Sequence, residues 1–185
     1  MADKRRLGIL AAVAVVGGGL YALSLHRRSD AVPPVIRGKA PGLELHFYKG
    51  SGVALKPGDT IGSGDSIGAV YHNLGNESLW ALIFAYDALG NLYWLEPHHA
   101  IGSRSEDLSV GLAPTEKERS VGSAAQLRDL PAGPLTVFAL VSPGIMVTSR
   151  IERLDPDERD RESLLNRFPD AVVVELPLTM VPQAM

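Results

Sequence analysis

The feature that most constrains this chain is an uncharged stretch of nineteen residues, 7–25, close to its start. Basic residues flank it, with residues 4–6 (KRR) before it and residues 26–28 (HRR) after it. A helix of this length rises about 1.5 Å per residue and spans roughly 28 Å, which is close to the hydrocarbon thickness of a bilayer. The sequence therefore predicts a transmembrane helix over residues 7–25 that contacts the lipid bilayer.

A cleavable signal peptide is the alternative for this stretch, because it has the same basic start and apolar middle. Residues 22–24 (ALS) loosely resemble a cleavage site. However, the apolar run exceeds the roughly 7–15 residues of a signal peptide, and Arg27 and Arg28 follow at once. An uncleaved signal-anchor is the favoured interpretation, and cleavage stays open.

The flanking charges predict the orientation of this helix. Short flanks rich in Lys and Arg remain cytoplasmic, and residues 4–6 with the terminal amine slightly outweigh Arg27 and Arg28. We therefore expect residues 1–6 to be a cytoplasmic tail, residues 26–41 a linker, and residues 42–185 an extracytoplasmic domain. In a bacterium this arrangement is a single-pass inner-membrane protein with a periplasmic domain.

The composition excludes several classes of function. From Ser29 onward the chain has 13 Lys and Arg against 20 Asp and Glu, and a net charge of −7 argues against binding nucleic acid. The absence of cysteine removes disulfides, thiolate catalysis, iron–sulfur clusters and thiolate zinc sites. No cofactor is expected. Nineteen Gly and thirteen Pro predict many turns between short strands.

Alternating residues predict a mainly β fold. Leu43, Leu45 and Phe47 share one face of a half-buried strand. Residues 78–87 are apolar on both faces, so we expect a central strand covered on both sides, and a hairpin turn leads from it to residues 92–96. Residues 61–65 are predicted to be a loop. Further strands are predicted at residues 53–55, 66–72, 108–112, 120–127, 135–142 and 171–176.

The end of the chain changes pattern. Residues 147–154 predict a helical turn or helix. Residues 155–158 (DPDE) combine a cap, a proline and a glutamate in the positions typical of a helix start, and this helix is expected to run to about Phe168. Pro177 is expected to end the last strand. Seven to nine short strands with one or two C-terminal helices are best matched by a β-sandwich with a helical appendage.

One candidate catalytic residue is Ser66, in the segment Gly64-Asp65-Ser66-Ile67-Gly68, which matches G-x-S-x-G. In serine hydrolases this pattern places the nucleophile on a turn from a strand to a helix. The residues after Ser66 instead predict a strand, so a glycine-rich turn is the favoured interpretation and a serine hydrolase is the alternative.

Two other sets of residues are candidates for binding. Glu96, His98 and His99 combine ligand types that suit zinc or copper, but adjacent histidines on an extended chain point to opposite sides. No metal site is therefore favoured. Tyr86 and Trp94 belong to an aromatic group on the predicted hairpin, which could bind a carbohydrate or another small ligand, although such groups are more often core.

Part of the chain resembles bacterial membrane-anchored extracytoplasmic domains of the kind appended to anti-sigma factors. The resemblance covers residues 37–154. Its residues are Arg37-Gly38-Lys39, 43–48, Leu55 with Pro57-Gly58-Asp59, 79–93 with Asp87 and Gly90, 130–133 and 138–142. It implies a receptor-like or accessory envelope domain and no catalytic residues.

This chain departs from complete anti-sigma factors. Only six residues precede the anchor, and the His and Cys zinc site of the sigma-binding domain is absent, so we expect no direct binding of a sigma factor. The expected function is a non-catalytic binding or accessory domain in envelope signalling or assembly, with an envelope or membrane protein as its partner.

Overall fold

Nine β-strands and two short α-helices form the part of the chain that the computed structural model describes, namely residues 42–103, 106–128 and 130–181. The predicted tail, transmembrane helix and linker, residues 1–41, lie outside these residues. No helix among the described residues is long and apolar enough to cross a membrane. In chain order the elements are β1 (Leu43–Lys49), β2 (Thr60–Gly62), β3 (Ser66–Asn73), β4 (Leu79–Asp87), β5 (Leu92–Glu96), β6 (Val110–Leu112), β7 (Thr115–Gln126), β8 (Gly133–Ser142), α1 (Ser149–Glu152), a 3-10 helix (Pro156–Glu158), α2 (Arg161–Arg167) and β9 (Val172–Val181).

The strands form two sheets. The small sheet is antiparallel, in the order β1-β3-β7. The large sheet has the order β2-β9-β8-β4-β5, and β6 pairs with the start of β4 on the edge that β5 occupies farther along. Its strand pairs are antiparallel except for β2 and β9, which run parallel. The mainly β prediction is therefore confirmed.

One core lies between the two sheets. Residues 43, 45 and 47 of β1 are buried in it, as the alternation of β1 predicts. Ile83 of β4 and Leu176 of β9 enter the same core from the large sheet. Burial of these side chains stabilises the fold by about 25 cal/mol for each Å² of apolar surface removed from water. This free energy holds the sheets face to face.

A second core lies on the other face of the large sheet. Phe84 of β4 and Phe138 of β8 contact there as stacked rings, with centroids 5.7 Å apart. Ile151 of α1, Leu164 of α2 and Phe168 cover them. The two faces of β4 thus enter different cores, which confirms the prediction of a central strand covered on both sides.

Pro177 does not end the last strand, contrary to the prediction, because it lies inside β9. Backbone groups two residues apart in a strand point to the same edge. The Thr179 N–H donates to Asp59 O, and Pro177 O accepts from Gly58 N, so the missing N–H of Pro177 faces the β2 side. The β2–β9 pairing begins only at Thr60 and Thr179, so proline removes no hydrogen bond from that ladder.

The prediction of a single helix over residues 155–168 is wrong. Its first part is the 3-10 helix, in which Glu158 N donates to Asp155 O and the Glu158 carboxylate accepts from Asp155 N. Asp160 is then a second cap, because it is extended and its Oδ1 accepts from Ser163 N at 2.8 Å. Two successive caps divide the segment into two short helices.

Three other elements differ from prediction. The loop expected at residues 61–65 begins with β2, which β9 supports as its parallel partner. Residues 53–55 form only an isolated bridge between Ala54 and Tyr48. β7 begins at Thr115, earlier than predicted, because its polar first half lies at an exposed edge where no apolar alternation is needed.

Candidate functional site

A groove of about 440 Å³ opens on the outer face of the large sheet, beside the helical layer. Tyr86, Thr136 and Phe138 line it from β4 and β8. Residues 87–90, the turn after β4, and residues 159–160, between the two short helices, line it from the sides. Three separate parts of the chain therefore meet at this groove.

The turn beside the groove is organised by Asp87. Its Oδ1 accepts from the Leu89 and Asn91 N–H groups at 2.8 and 2.9 Å, and its Oδ2 accepts from Asn91 Nδ2 and the Tyr93 hydroxyl at 2.8 and 2.9 Å. Burial opposes ionisation of Asp87, but these hydrogen bonds outweigh it and lower the pKa of the carboxyl. Gly90 supplies the positive φ that the turn requires. The hydrogen bonds of Asp87 therefore fix the turn that forms one wall of the groove.

Arg159 connects that wall to the helical layer. Its Nε and Nη2 donate to Leu154 O at 3.2 and 3.0 Å, and its Nη1 donates to Gly90 O. The guanidinium carbon also lies 5.2 Å from the centre of the Tyr86 ring, a cation–π contact. Arg159 therefore links the turn to the helical layer through hydrogen bonds, and it also supplies the basic group of the groove.

Tyr86 carries a buried hydroxyl for which no hydrogen-bond partner is found among the described residues. The residue is only 6% exposed, and burial raises the pKa of its phenol to about 12, although Arg159 opposes this shift. An unsatisfied buried hydroxyl costs about 1–3 kcal/mol. Because this oxygen is covered, a polar ligand group or a water molecule would reach it only after a shift of the groove wall, and would then recover that free energy.

The two predicted ligand-binding residues, Tyr86 and Trp94, lie in one aromatic cluster, with Phe84 between them. The Phe84 ring contacts each of them edge to face at 5.6 Å. Trp94 is largely buried and its Nε1 donates to Glu152 Oε1 at 3.3 Å, beneath α1. Tyr86 lines the groove, whereas Trp94 is part of the core that supports it.

The segment around Ser66 is a turn between two strands. Ser66 is the first residue of β3 and faces Gln126 of β7. Asp65 accepts from Gly62 N at 2.6 Å and pairs with Lys49 Nζ at 2.6 Å. These two hydrogen bonds, the one from Lys49 first, lower the pKa of Asp65. A strand follows Ser66, as the sequence predicts, where the hydrolase pattern requires a helix.

The adjacent histidines of the candidate metal site point to different partners. The side chain of His99 is buried, with Nδ1 2.7 Å from Asp107 Oδ2 and Nε2 3.0 Å from Glu152 Oε1. Both ring nitrogens of His99 therefore face carboxylate oxygens. His98 instead reaches Ser123 of β7. No group of three metal-ligating residues is present in the described part of the chain.

His98 belongs to a contact that the sequence alone does not predict. Its Nε2 lies 2.8 Å from Ser123 Oγ, and its Nδ1 lies 3.9 Å from Glu96 Oε2. Glu96 and His98 stand together in the sequence, but Ser123 is on another strand of the other sheet. The glycine at position 122 is the one local signal, since a glycine inside a strand often marks a bulge.

No protein-family model matches the chain, and no curated protein matches it.

Proposed function

We propose that this chain is a single-pass, membrane-anchored binding or accessory domain of the bacterial envelope. Its N-terminus would be cytoplasmic and its domain periplasmic, as in the family that it resembles. The uncharged residues 7–25 and their basic flanks support the anchor, and the acidic balance that follows supports a partner other than nucleic acid. We also infer that the two sheets are the layers of a β-sandwich, since they share one core.

The observation that carries the proposed binding role is the groove beside Tyr86. It combines an aromatic ring, an unsatisfied hydroxyl and a guanidinium with the carboxylates of Asp160 and Glu175. Hydrogen bonds from Ser163 lower the pKa of Asp160, so this group is ionised at neutral pH. Aromatic surface combined with fixed polar groups is a feature of ligand-binding sites. Mixed charge favours a polar partner that both donates and accepts hydrogen bonds.

Photo-crosslinking in living cells tests this role. A photoreactive residue replaces Thr136 on the groove floor, and a control replaces Val53, which is 60% exposed and is not a groove residue. We expect a discrete adduct at position 136 that is lost in Arg159→Ala and kept in Arg153→Ala, an exposed arginine. Equal adducts at both positions, or none at position 136, would contradict the role of the groove.

A topology measurement tests the compartment separately. We expect the full-length protein to fractionate with membranes and its domain to be digested by protease added to spheroplasts. Protection from protease, or recovery of the intact chain in the soluble cytoplasmic fraction, would contradict the proposed orientation.

A carbohydrate or small ligand is the second candidate occupant of the groove, and the Tyr86 hydroxyl favours it. Trp94 contacts the same aromatic cluster, so its fluorescence should report occupancy. We expect envelope oligosaccharides to change the fluorescence of the wild-type protein, and Tyr86→Phe to weaken this response because it removes the hydroxyl. An unchanged signal across the panel would count against this candidate.

A further inference from the structure

A β-bulge projects Ser123 from the edge of the small sheet. Ile67 faces Ala125 and Ala69 faces Val121, so Gly68 of β3 alone stands opposite three residues of β7. Those three residues are 122–124, and Ser123 in the middle is exposed. Bulges disrupt a ladder locally and re-aim a side chain, and they are frequent next to active sites.

The bulge is shaped around Glu96, at the end of β5. Gly122 has a φ of +60°, and a Cβ at this position would lie 1.3 Å from Glu96 Oε1. Only glycine therefore lets the carboxylate occupy this place. Burial raises the pKa of Glu96, while His98 and the Ser123 N–H, which donates to the carboxylate, oppose the shift. The backbone of Ser123 is thus fixed against a buried acid.

His98 completes the array. The side chain is half exposed, its Nε2 lies 2.8 Å from Ser123 Oγ, and its Nδ1 faces Glu96 Oε2 at 3.9 Å. With the proton on Nδ1, the lone pair of Nε2 accepts from the serine hydroxyl. Ser123 thus lies within hydrogen-bond distance of one ring nitrogen, and the Glu96 carboxylate lies within ion-pair distance of the other. In serine hydrolases a base and an acid occupy the same two positions, with the acid hydrogen-bonded to the ring.

We propose that Ser123 is a nucleophile that transfers short acyl groups from esters to water, with His98 as general base and Glu96 as a positioning residue. Ser123 Oγ attacks the ester carbonyl carbon while His98 Nε2 takes its proton. The C–O bond to the alcohol then breaks, and His98 returns the proton to the leaving oxygen. Water hydrolyses the acyl-serine by the same two proton transfers, which releases the carboxylic acid and restores Ser123.

The surroundings indicate a short acyl group on a large alcohol. The cavity lined by Glu96 and Ser123 measures only about 10 Å³, room for one water molecule, so it cannot hold a long acyl chain. Ser123 lies at an exposed strand, where the rest of a bulky substrate need not be enclosed. An O-acetyl ester of a polymer carries a small acyl group that needs no enclosed pocket, and its polymer chain would lie along the exposed strand. This activity uses none of the residues that form the groove, and it departs from the non-catalytic function that the sequence predicts.

Two probes test the proposal on the full-length protein in detergent, namely a fluorophosphonate label and 4-nitrophenyl acetate. We expect labelling and acetate release to be lost in Ser123→Ala and to fall about 100-fold or more in His98→Gln. Ser120→Ala, on the same strand, and Ser66→Ala are the controls and should keep both activities. The octanoate ester should react more slowly than the acetate. No labelling, or labelling that survives Ser123→Ala, would overturn the proposal.

Glu96→Gln tests the positioning role. The amide oxygen can still accept from the Ser123 N–H, whereas the negative charge beside His98 is lost. We expect labelling to slow about tenfold or more while the melting temperature stays within a few degrees of wild type. A rate equal to that of the wild type would show that Glu96 does not act through His98. Because the crosslinking experiment above probes other residues, the two proposals can fail independently.

Discussion

At the scale of single residues, Asp87 stabilises the hairpin turn through one buried carboxylate. Four hydrogen bonds converge on it, from two N–H groups, an amide and a phenol. Removal of this carboxylate leaves several donors unsatisfied, so the loss in the free energy of unfolding exceeds that of one ordinary hydrogen bond.

We predict that Asp87→Ala lowers the free energy of unfolding by about 2–3 kcal/mol at pH 7. Because the pKa of Asp87 is lower in the folded state, its contribution is present above its unfolded pKa of about 4 and is lost as pH falls through the folded pKa. Urea unfolding at pH 7 and at pH 3 measures this, and the difference between the two proteins should be smaller at the lower pH. Asp170→Ala, at an exposed position, is the control. An equal difference at both pH values would contradict the prediction.

Gly122 and Gly52 form a matched pair at the same scale. Both have positive φ, but nothing lies within 4 Å of a Cβ at Gly52, whereas the Glu96 carboxylate fills that place at Gly122. We predict that Gly52→Ala costs about 1–2 kcal/mol, the cost of a left-handed residue alone. Gly122→Ala must also displace a buried carboxylate and should cost more. Melting curves compare the two, and equal losses would show that Glu96 moves away freely.

The candidate sites differ in how far the sequence reveals them. The pattern of β4 predicts that Tyr86 shares a face with other aromatic residues, because periodicity depends on local sequence. The groove also needs Arg159, whose place depends on where the helical layer ends. Ser123 meets His98 only through the irregular register between β3 and β7, and no local pattern fixes that register.

At the scale of elements, α2 illustrates a helix that depends on its surroundings. Its seven residues are too few to be stable in isolation. The Asp160 cap supports its first turn, and Leu164 and Phe168 attach it to the second core. Packing on the sheet therefore provides most of its stability.

Adjacent leucines test this dependence. Leu164 is fully buried, whereas Leu165 is only partly buried. We predict that Leu164→Ala lowers the free energy of unfolding by about 2–5 kcal/mol and that Leu165→Ala costs clearly less. Chemical denaturation of both variants measures the difference. If the two losses are equal, the helix does not face the sheet as described.

Strands are predicted better than helices in this protein. β1, β4, β5 and β8 are apparent because they alternate or are continuously apolar, and both kinds of pattern follow from burial. β2 has only three residues and exists because β9 lies beside it, so its own sequence carries little signal. The start of β7 is polar because it is exposed, and for that reason it resembles a loop.

At the scale of the whole molecule, the large sheet is covered on both faces, by the small sheet on one and by the helices on the other. The ionisation of Tyr86 depends on this arrangement because its side chain is buried in the second core. The folded state keeps the phenol protonated up to about pH 12, whereas an unfolded chain ionises it near pH 10. The contribution of Tyr86 to the free energy of unfolding is therefore fully present below pH 10 and is lost as pH rises from 10 through 12.

We predict that Tyr86→Phe is neutral or slightly stabilising at pH 7, because the removed hydroxyl has no partner among the described residues. Above pH 10 the variant should lose less stability than the wild type, since phenylalanine does not ionise. Thermal unfolding from pH 7 to 11 measures both effects. A loss of more than about 1 kcal/mol at pH 7 would indicate a hydrogen bond to this oxygen.

The parallel pairing of β2 with β9 has a consequence for synthesis. β9 stands between β2 and β8, so the large sheet lacks an inner strand until residues 172–181 have left the ribosome. The nascent polypeptide cannot complete its fold before then. A translocation channel accepts unfolded chains. Because the large sheet is completed only when β9 is made, the domain would stay unfolded during the export that we propose.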